Sequence, residues 1–204
     1  MNSKARQGQM NTAGNSVVPT TETRQADRRS RRFLRDRNGN VAIEFSLLAI
    51  PFSLLVFAIL ESCISFAGSQ LLANATDNVA RQLRTGQVKA AGLTEATVKQ
   101  LICDQIDILV ASGCPGLKID LRQYSTFKDA AAMKIIYVGS GSTKELASSN
   151  FQFDPGKSMT KNMLRVFYEW PVMTDFMRKA MSNLKGSKTL HFASMTWQNE
   201  PFDD

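Results

Sequence analysis

The sequence predicts an α+β fold: a long N-terminal helix, a second helix, and an antiparallel sheet of about four strands. Three observations lead to it. Residues 45–60 carry no charged side chain, and 41–43 and 63–66 extend this apolar run on both sides. Apolar residues then recur at four-residue spacing as far as Leu83, the period of an amphipathic helix. After the helices the period changes to alternating, with Leu117, Ile119 and Leu121 between Lys118, Asp120 and Arg122, the period of a strand. A helical block followed by strands is the α+β pattern.

The chain has 204 residues, enough for one modest domain plus extra segments. Its net charge of +7 is concentrated at one end, because residues 1–39 carry nine Lys/Arg against three Asp/Glu. The remainder is close to neutral, which argues against a nucleic-acid-binding surface. Residues 1–23 are rich in Asn, Thr, Ser, Gln and Gly and hold too little apolar surface to offset the entropy of ordering. An arginine-rich stretch at 24–37 follows, and the apolar run comes directly after it.

As a helix, residues 41–66 extend about 39 Å at about 1.5 Å per residue, enough to cross a bilayer with tilt. Pro51 lies inside the run, which a membrane helix tolerates. A cleaved secretory signal would have a shorter apolar stretch and a clearer small-residue site than Ala67-Gly68-Ser69. The arginines precede the run, so the positive-inside rule puts the N-terminus in the cytoplasm and 67–204 outside the membrane. The expected division is therefore a basic leader at 1–39, a transmembrane helix at 40–66 and an extracytoplasmic domain at 67–204.

Leu71, Leu72, Ala75, Val79 and Leu83 form a stripe that continues the helix, with Gly86 and Gly92 marking its end. A second helix is expected from an N-cap at Thr94, with Val98, Leu101, Ile102, Ile106 and Leu109 on one face and Gly113-Cys114-Pro115 as its stop. Strands are expected at 117–122, 133–138, 163–170 and 190–197, the second of them closed by a flexible Gly139-Ser140-Gly141-Ser142. A short helix is expected at 174–184, with Phe176, Met177, Ala180 and Leu184 on one side.

The string with functional content is Gly39-Asn40-Val41-Ala42-Ile43-Glu44-Phe45. Gly39 sits at the membrane edge, where an extended chain can enter a protease. Glu44 sits in the apolar segment, where a charge costs about 2.5–3.5 kcal/mol at the centre of a span and less near its edge. An acid in a membrane helix is either functional or snorkels to the interface, and the physics alone leaves both readings open.

This string resembles the processing site of type IV prepilins, a glycine, four residues, then Glu-Phe. With the preceding Arg32-Phe33-Leu34-Arg35-Asp36-Arg37-Asn38, it also resembles the opening of TadE-like domains. Further resemblance lies in Glu61, in the 75–86 stretch, in Val166-Phe167-Tyr168-Glu169-Trp170-Pro171 and in Asn199-Glu200-Pro201-Phe202. The resemblance implies a pilin-like outer domain and cleavage by a prepilin peptidase between Gly39 and Asn40. Asn40 then becomes the N-terminus, Glu44 the fifth residue and Phe45 the sixth. The acid would attract the new α-ammonium of a neighbouring subunit and set register in the assembly. Implied partners are inner-membrane lipid, the prepilin peptidase, other pilus subunits and Tad assembly proteins. Implied location is the bacterial inner membrane with the domain in the periplasm, or the pilus after processing. The long mature chain points to a minor pseudopilin rather than the small major pilin.

Cys103 and Cys114 are read as a disulfide, a link that stabilises by about 2–4 kcal/mol, with two reduced thiols as the alternative. Cys63 reads as a small apolar filler in the span, and Glu61 as a marker of the outer membrane edge. His191, the only histidine, reads as structural. No nucleophile–base pair, metal-ligand spacing or phosphate loop stands out, so the expectation is a non-enzyme without cofactor or metal. Rival readings are an unprocessed, signal-anchored periplasmic binding protein of a secretion complex and an enzyme with a cysteine nucleophile.

Overall fold

The computed structural model describes residues 40–88 and 92–202. The basic leader, Gly39 included, lies outside the described residues. The chain divides between Phe52 and Ser53, one residue after Pro51. The described part of the first unit, 40–52, is entirely helical and belongs to helix α1 (Asn40–Arg84).

The second unit is an α+β domain. It holds the rest of α1, then α2 (Glu95–Ile106), β1 (Leu117–Tyr124), α3 (Phe127–Ala131), β2 (Tyr137–Val138), β3 (Glu145–Leu146), β4 (Lys161–Pro171), α4 (Asp175–Met181) and β5 (Lys188–Gln198). The main sheet has three antiparallel strands in the order β1-β4-β5. Register pairs Leu121 with Leu164 and Val166 with Ala193, so same-face apolar side chains lie opposite one another.

The helix-facing core follows the sequence stripes. Leu72, Ala75, Val79 and Leu83 of α1 and Val98, Ile102 and Ile106 of α2 are buried with Leu117, Ile119 and Leu121 of β1. Val166, Tyr168 and Trp170 of β4 and Ala193 and Trp197 of β5 complete that layer. The opposite face is closed by the 125–160 excursion. There Phe151, Phe167 and Phe192 stack, with ring centroids 5.1 Å and 5.0 Å apart. Fully buried Asp120 is satisfied on the same face. It accepts from Arg122 Nε at 2.7 Å, from the Gln152 N–H at 2.9 Å and from Arg165 Nε at 3.0 Å.

Helix α1 ends in a Schellman motif. Gln87 N–H donates to Gln82 C=O at 3.0 Å and Gly86 N–H to Leu83 C=O at 3.2 Å, with Gly86 at φ +67°. Thr94 caps α2, its hydroxyl accepting from the Thr97 N–H at 3.2 Å.

Three expectations need correction. The second helix stops at Ile106 rather than at Gly113. Cys103 and Cys114 are disulfide-bonded with Cα atoms 5.8 Å apart, whereas eleven residues of continuous helix would separate them by about 16 Å. The chain must therefore turn back, and Ile108 is left 80% exposed. The 133–138 stretch is not a fourth strand of the sheet. Only Tyr137 and Val138 pair, with β3, in a separate ribbon. The outer edge of β1 is occupied instead by the 152–154 segment, through Leu121 N–H to Gln152 C=O at 2.9 Å and Asp154 N–H to Leu121 C=O at 2.8 Å. The Gly139–Ser142 stretch lies in the tight connection between β2 and β3, where a Cβ on Gly139 would lie 2.5 Å from the Thr143 carbonyl oxygen. Third, the 174–184 helix is shortened to α4, and none of its residues is buried. Leu184 is buried, but beyond the helix, in a bridge to Lys188.

The Asp120–Arg165 pair yields a prediction. Asp120→Ala strands a guanidinium that is 5% exposed, and breaking such a buried pair costs about 3–5 kcal/mol. Thermal unfolding of the full chain in detergent should show a marked fall in Tm. An unchanged Tm would mean the pair contributes nothing.

Candidate functional site

The first stretch of α1 is uncovered. Val41, Ile43, Phe45, Leu47, Leu48 and Ile50 are all exposed, Phe45 to 71%. Hydroxyls in the apolar run turn inward onto the helix: Ser46 donates to the Ala42 carbonyl and Ser62 to that of Ala58, each at 2.8 Å. Glu44 differs, since its exposed carboxylate has no hydrogen bond or ion pair among the described residues. It lies four residues after Asn40, the first helical residue, and next to Phe45.

Farther along, α1 is fastened to the domain by polar groups at the end of the apolar run. Glu61 is 8% exposed. Its Oε1 accepts from the Met173 N–H at 2.6 Å and the Thr174 N–H at 3.3 Å, and its Oε2 accepts from the Thr174 hydroxyl. The Thr174 Oγ1 is also the N-cap of α4, so this carboxylate sits at the helix start, where orphan N–H groups favour an anion. One turn on, Ser65 Oγ lies 3.2 Å from His191 Nε2. His191 in turn packs edge-on against Trp170, with centroids 5.3 Å apart. Gly68 makes room for that indole, because a Cβ there would stand 2.6 Å from the ring.

The C-terminal segment closes the other end of α1. Glu200 N–H donates to the Arg84 carbonyl at 2.9 Å, and the side chains of Arg84 and Glu200 pair at 3.5 Å. Phe202 packs over Gly86, where a Cβ would come within 2.9 Å of its ring. Asn199 holds the turn before it, accepting from Trp197 Nε1 at 2.7 Å and donating to the Lys157 carbonyl at 2.9 Å.

Residues 39–81 match the family described as TadE-like protein. That stretch is similar to TadE-like proteins. That match covers α1 almost from end to end, including Glu44, Phe45 and Glu61. The strings at 166–171 and 199–202 lie outside the matched stretch, yet both fold directly onto the TadE-like helix, through Trp170 at Gly68 and through Glu200 and Phe202 at Arg84 and Gly86. No curated protein and no solved structure matches the chain.

Among the expected site residues, the structure places Glu44 and Phe45 side by side on an uncovered helix and joins Cys103 to Cys114. Cys63 is exposed on the apolar run. Sequence reasoning missed the brace at Glu61. An acid in an apolar run was visible, but its partners are 112 and 113 residues away. His191 is buried against Trp170 and Ser65, and the sequence carried no signal for either partner.

Two predictions follow from this geometry. Glu61→Ala leaves the N–H groups of Met173 and Thr174 without their acceptor and removes the fastening of α4 to α1. Limited proteolysis should then cut within 172–188 while the sheet stays resistant. Unchanged cleavage would refute the brace.

The second concerns pH. Burial lowers the His191 pKa below its ordinary value, so the unfolded chain binds that proton more readily. This stability is present above about pH 6.5 and is lost as pH falls from there through the folded value. Burial raises Glu169, but hydrogen bonds from Lys118 and Lys188, at 2.7 Å and 2.8 Å, outweigh it and hold the carboxyl below its usual range. Its contribution is present above about pH 4.3 and is lost on further acidification. Tm should therefore fall in two stages, the upper one flattened by His191→Asn and the lower by Glu169→Gln. A pH profile identical in His191→Asn would exclude the histidine.

Proposed function

We propose that this chain is a minor pseudopilin of a Tad pilus: a structural and assembly component, not an enzyme, inserted once in the bacterial inner membrane with its α+β domain in the periplasm. The observation that carries this reading is Glu44. It is an acid at the start of an uncovered apolar helix, within the TadE-like segment, one turn from Asn40. The arginine-rich leader and the one long apolar helix among the described residues support a cytoplasmic N-terminus and one membrane crossing.

In this reading the prepilin peptidase cuts between Gly39 and Asn40. Removal of the leader frees the helix from the cytoplasmic face and creates an ammonium group at Asn40. An ammonium and a carboxylate attract far more strongly in a low-dielectric setting than in water, so Glu44 of one subunit selects the axial position of its neighbour. The exposed apolar face that includes Phe45 supplies the helix–helix contact. The domain needs no part of this to fold, since its core begins at Leu72.

Two variants test the reading in the native host. Gly39→Leu should block processing, leaving an intact mass that begins at Met1 instead of Asn40. Glu44→Gln removes the charge at constant size; it should insert and be processed normally but lose co-purification with pilus components and pilus-dependent adherence. If the wild type itself retains its leader, the chain is an unprocessed anchored protein and the pseudopilin reading fails. If Glu44→Gln assembles normally, the registry role fails while processing stands.

A further inference from the structure

Helix α4 is fixed at the place where the apolar run ends, and its outer face has no cover within the chain. The Glu61 carboxylate holds the N–H groups of Met173 and Thr174, so α4 cannot leave that turn of α1 without breaking the brace. Yet Met173 is 67% and Phe176 64% exposed. Phe176 and Ala180 share one face of α4 at four-residue spacing, with Met173 just before its cap. Beside them runs a groove of about 230 Å³, walled by Phe57, Leu60 and Ile64 of α1 and by Trp170 and Met173, with the braced Glu61 and Thr174 at its polar side. Its apolar surface is thus continuous with the apolar run itself.

The geometry points to a second membrane contact: α4 lies in the headgroup boundary of the outer face of the bilayer. Met173 and Phe176 enter the acyl region, the groove takes the end of a lipid chain, and Arg178 and Lys179 meet lipid phosphates. Interfacial helices combine these features, an apolar face with cations at its rim. Arg178 pairs with Asp175 and lies within electrostatic reach of the Glu61 carboxylate, but its side chain is exposed, and such pairs are weak enough for a phosphate to compete. A lipid surface is favoured over a soluble partner because the groove shares its Phe57, Leu60 and Ile64 wall with the span. The inference rests on residues 41–66 crossing the membrane. Its consequence is orientational: a helix held by one span can rotate and tilt freely, whereas a second contact fixes which face of the domain turns toward neighbouring subunits.

The test uses the full chain with Cys63→Ser, reconstituted at high dilution in phosphatidylethanolamine vesicles with or without phosphatidylglycerol. A nitroxide is placed at Ala180→Cys, or at Phe57→Cys as a reference in the span, and its depth is read from oxygen against nickel-chelate accessibility. The expected result is acyl depth at 57 and headgroup depth at 180. Met173→Ser with Phe176→Ser should return the 180 label to a water value without moving the 57 label. Arg178→Gln with Lys179→Gln should abolish the gain in depth that anionic lipid brings. A water value at 180 with acyl depth at 57 overturns the contact and leaves the span intact. A water value at 57 overturns the span, and the contact with it. Depth at 180 that arises only at high protein density, with spin–spin broadening, means that a second copy covers α4 and likewise overturns the lipid contact.

Discussion

How closely α1 can lie on the sheet depends on one contact, Trp170 against Gly68. Any side chain at 68 would collide with the indole, whose nearest ring atom is 2.6 Å from the position of a Cβ. With glycine there, the stripe from Leu72 to Leu83 reaches β1, β4 and β5, and the core becomes continuous from α2 to the sheet. Glycine inside a helix costs about 1 kcal/mol relative to alanine. Burial of a large aromatic ring offsets this cost, since fully buried apolar side chains contribute about 1.5–3 kcal/mol or more.

Around that contact the polar fasteners are arranged along α1. Glu61 holds the start of α4, Ser65 faces His191, and Arg84 takes Glu200. Each joins α1 to a segment more than a hundred residues later in the chain. A helix bound in this way behaves as part of the domain from Glu61 onward, although the hydropathy of 61–66 still reads as membrane. The two roles overlap within this turn and a half because the carboxylate is internally satisfied and the remaining side chains, such as Ile64 and Phe66, stay exposed.

The far face of the sheet is built differently. It carries the short α3 rather than a second long helix, and the 125–160 excursion covers it with stacked aromatics and the Asp120 cluster. That arrangement accounts for the loss of the expected fourth strand. The Lys134 carbonyl accepts from Arg165 Nη1 at 3.3 Å, across the sheet face, while the 152–154 segment takes the β1 edge.

The sequence by itself determined what is local. Hydropathy and the helical stripes gave α1 and the buried face of α2, alternation gave β1, apolar runs gave β4 and β5, and capping chemistry gave Thr94 and Gly86, because each depends on side chains a few residues apart. Glu44 was legible for the same reason, as an acid out of place in an apolar run. Tertiary structure alone decided the partners of Glu61, the use of Gly68, the early end of α2 and the fate of 133–138. Those depend on which distant segments compete for one edge, one carboxylate or one gap beneath a ring, and such competition leaves no periodic trace along the chain.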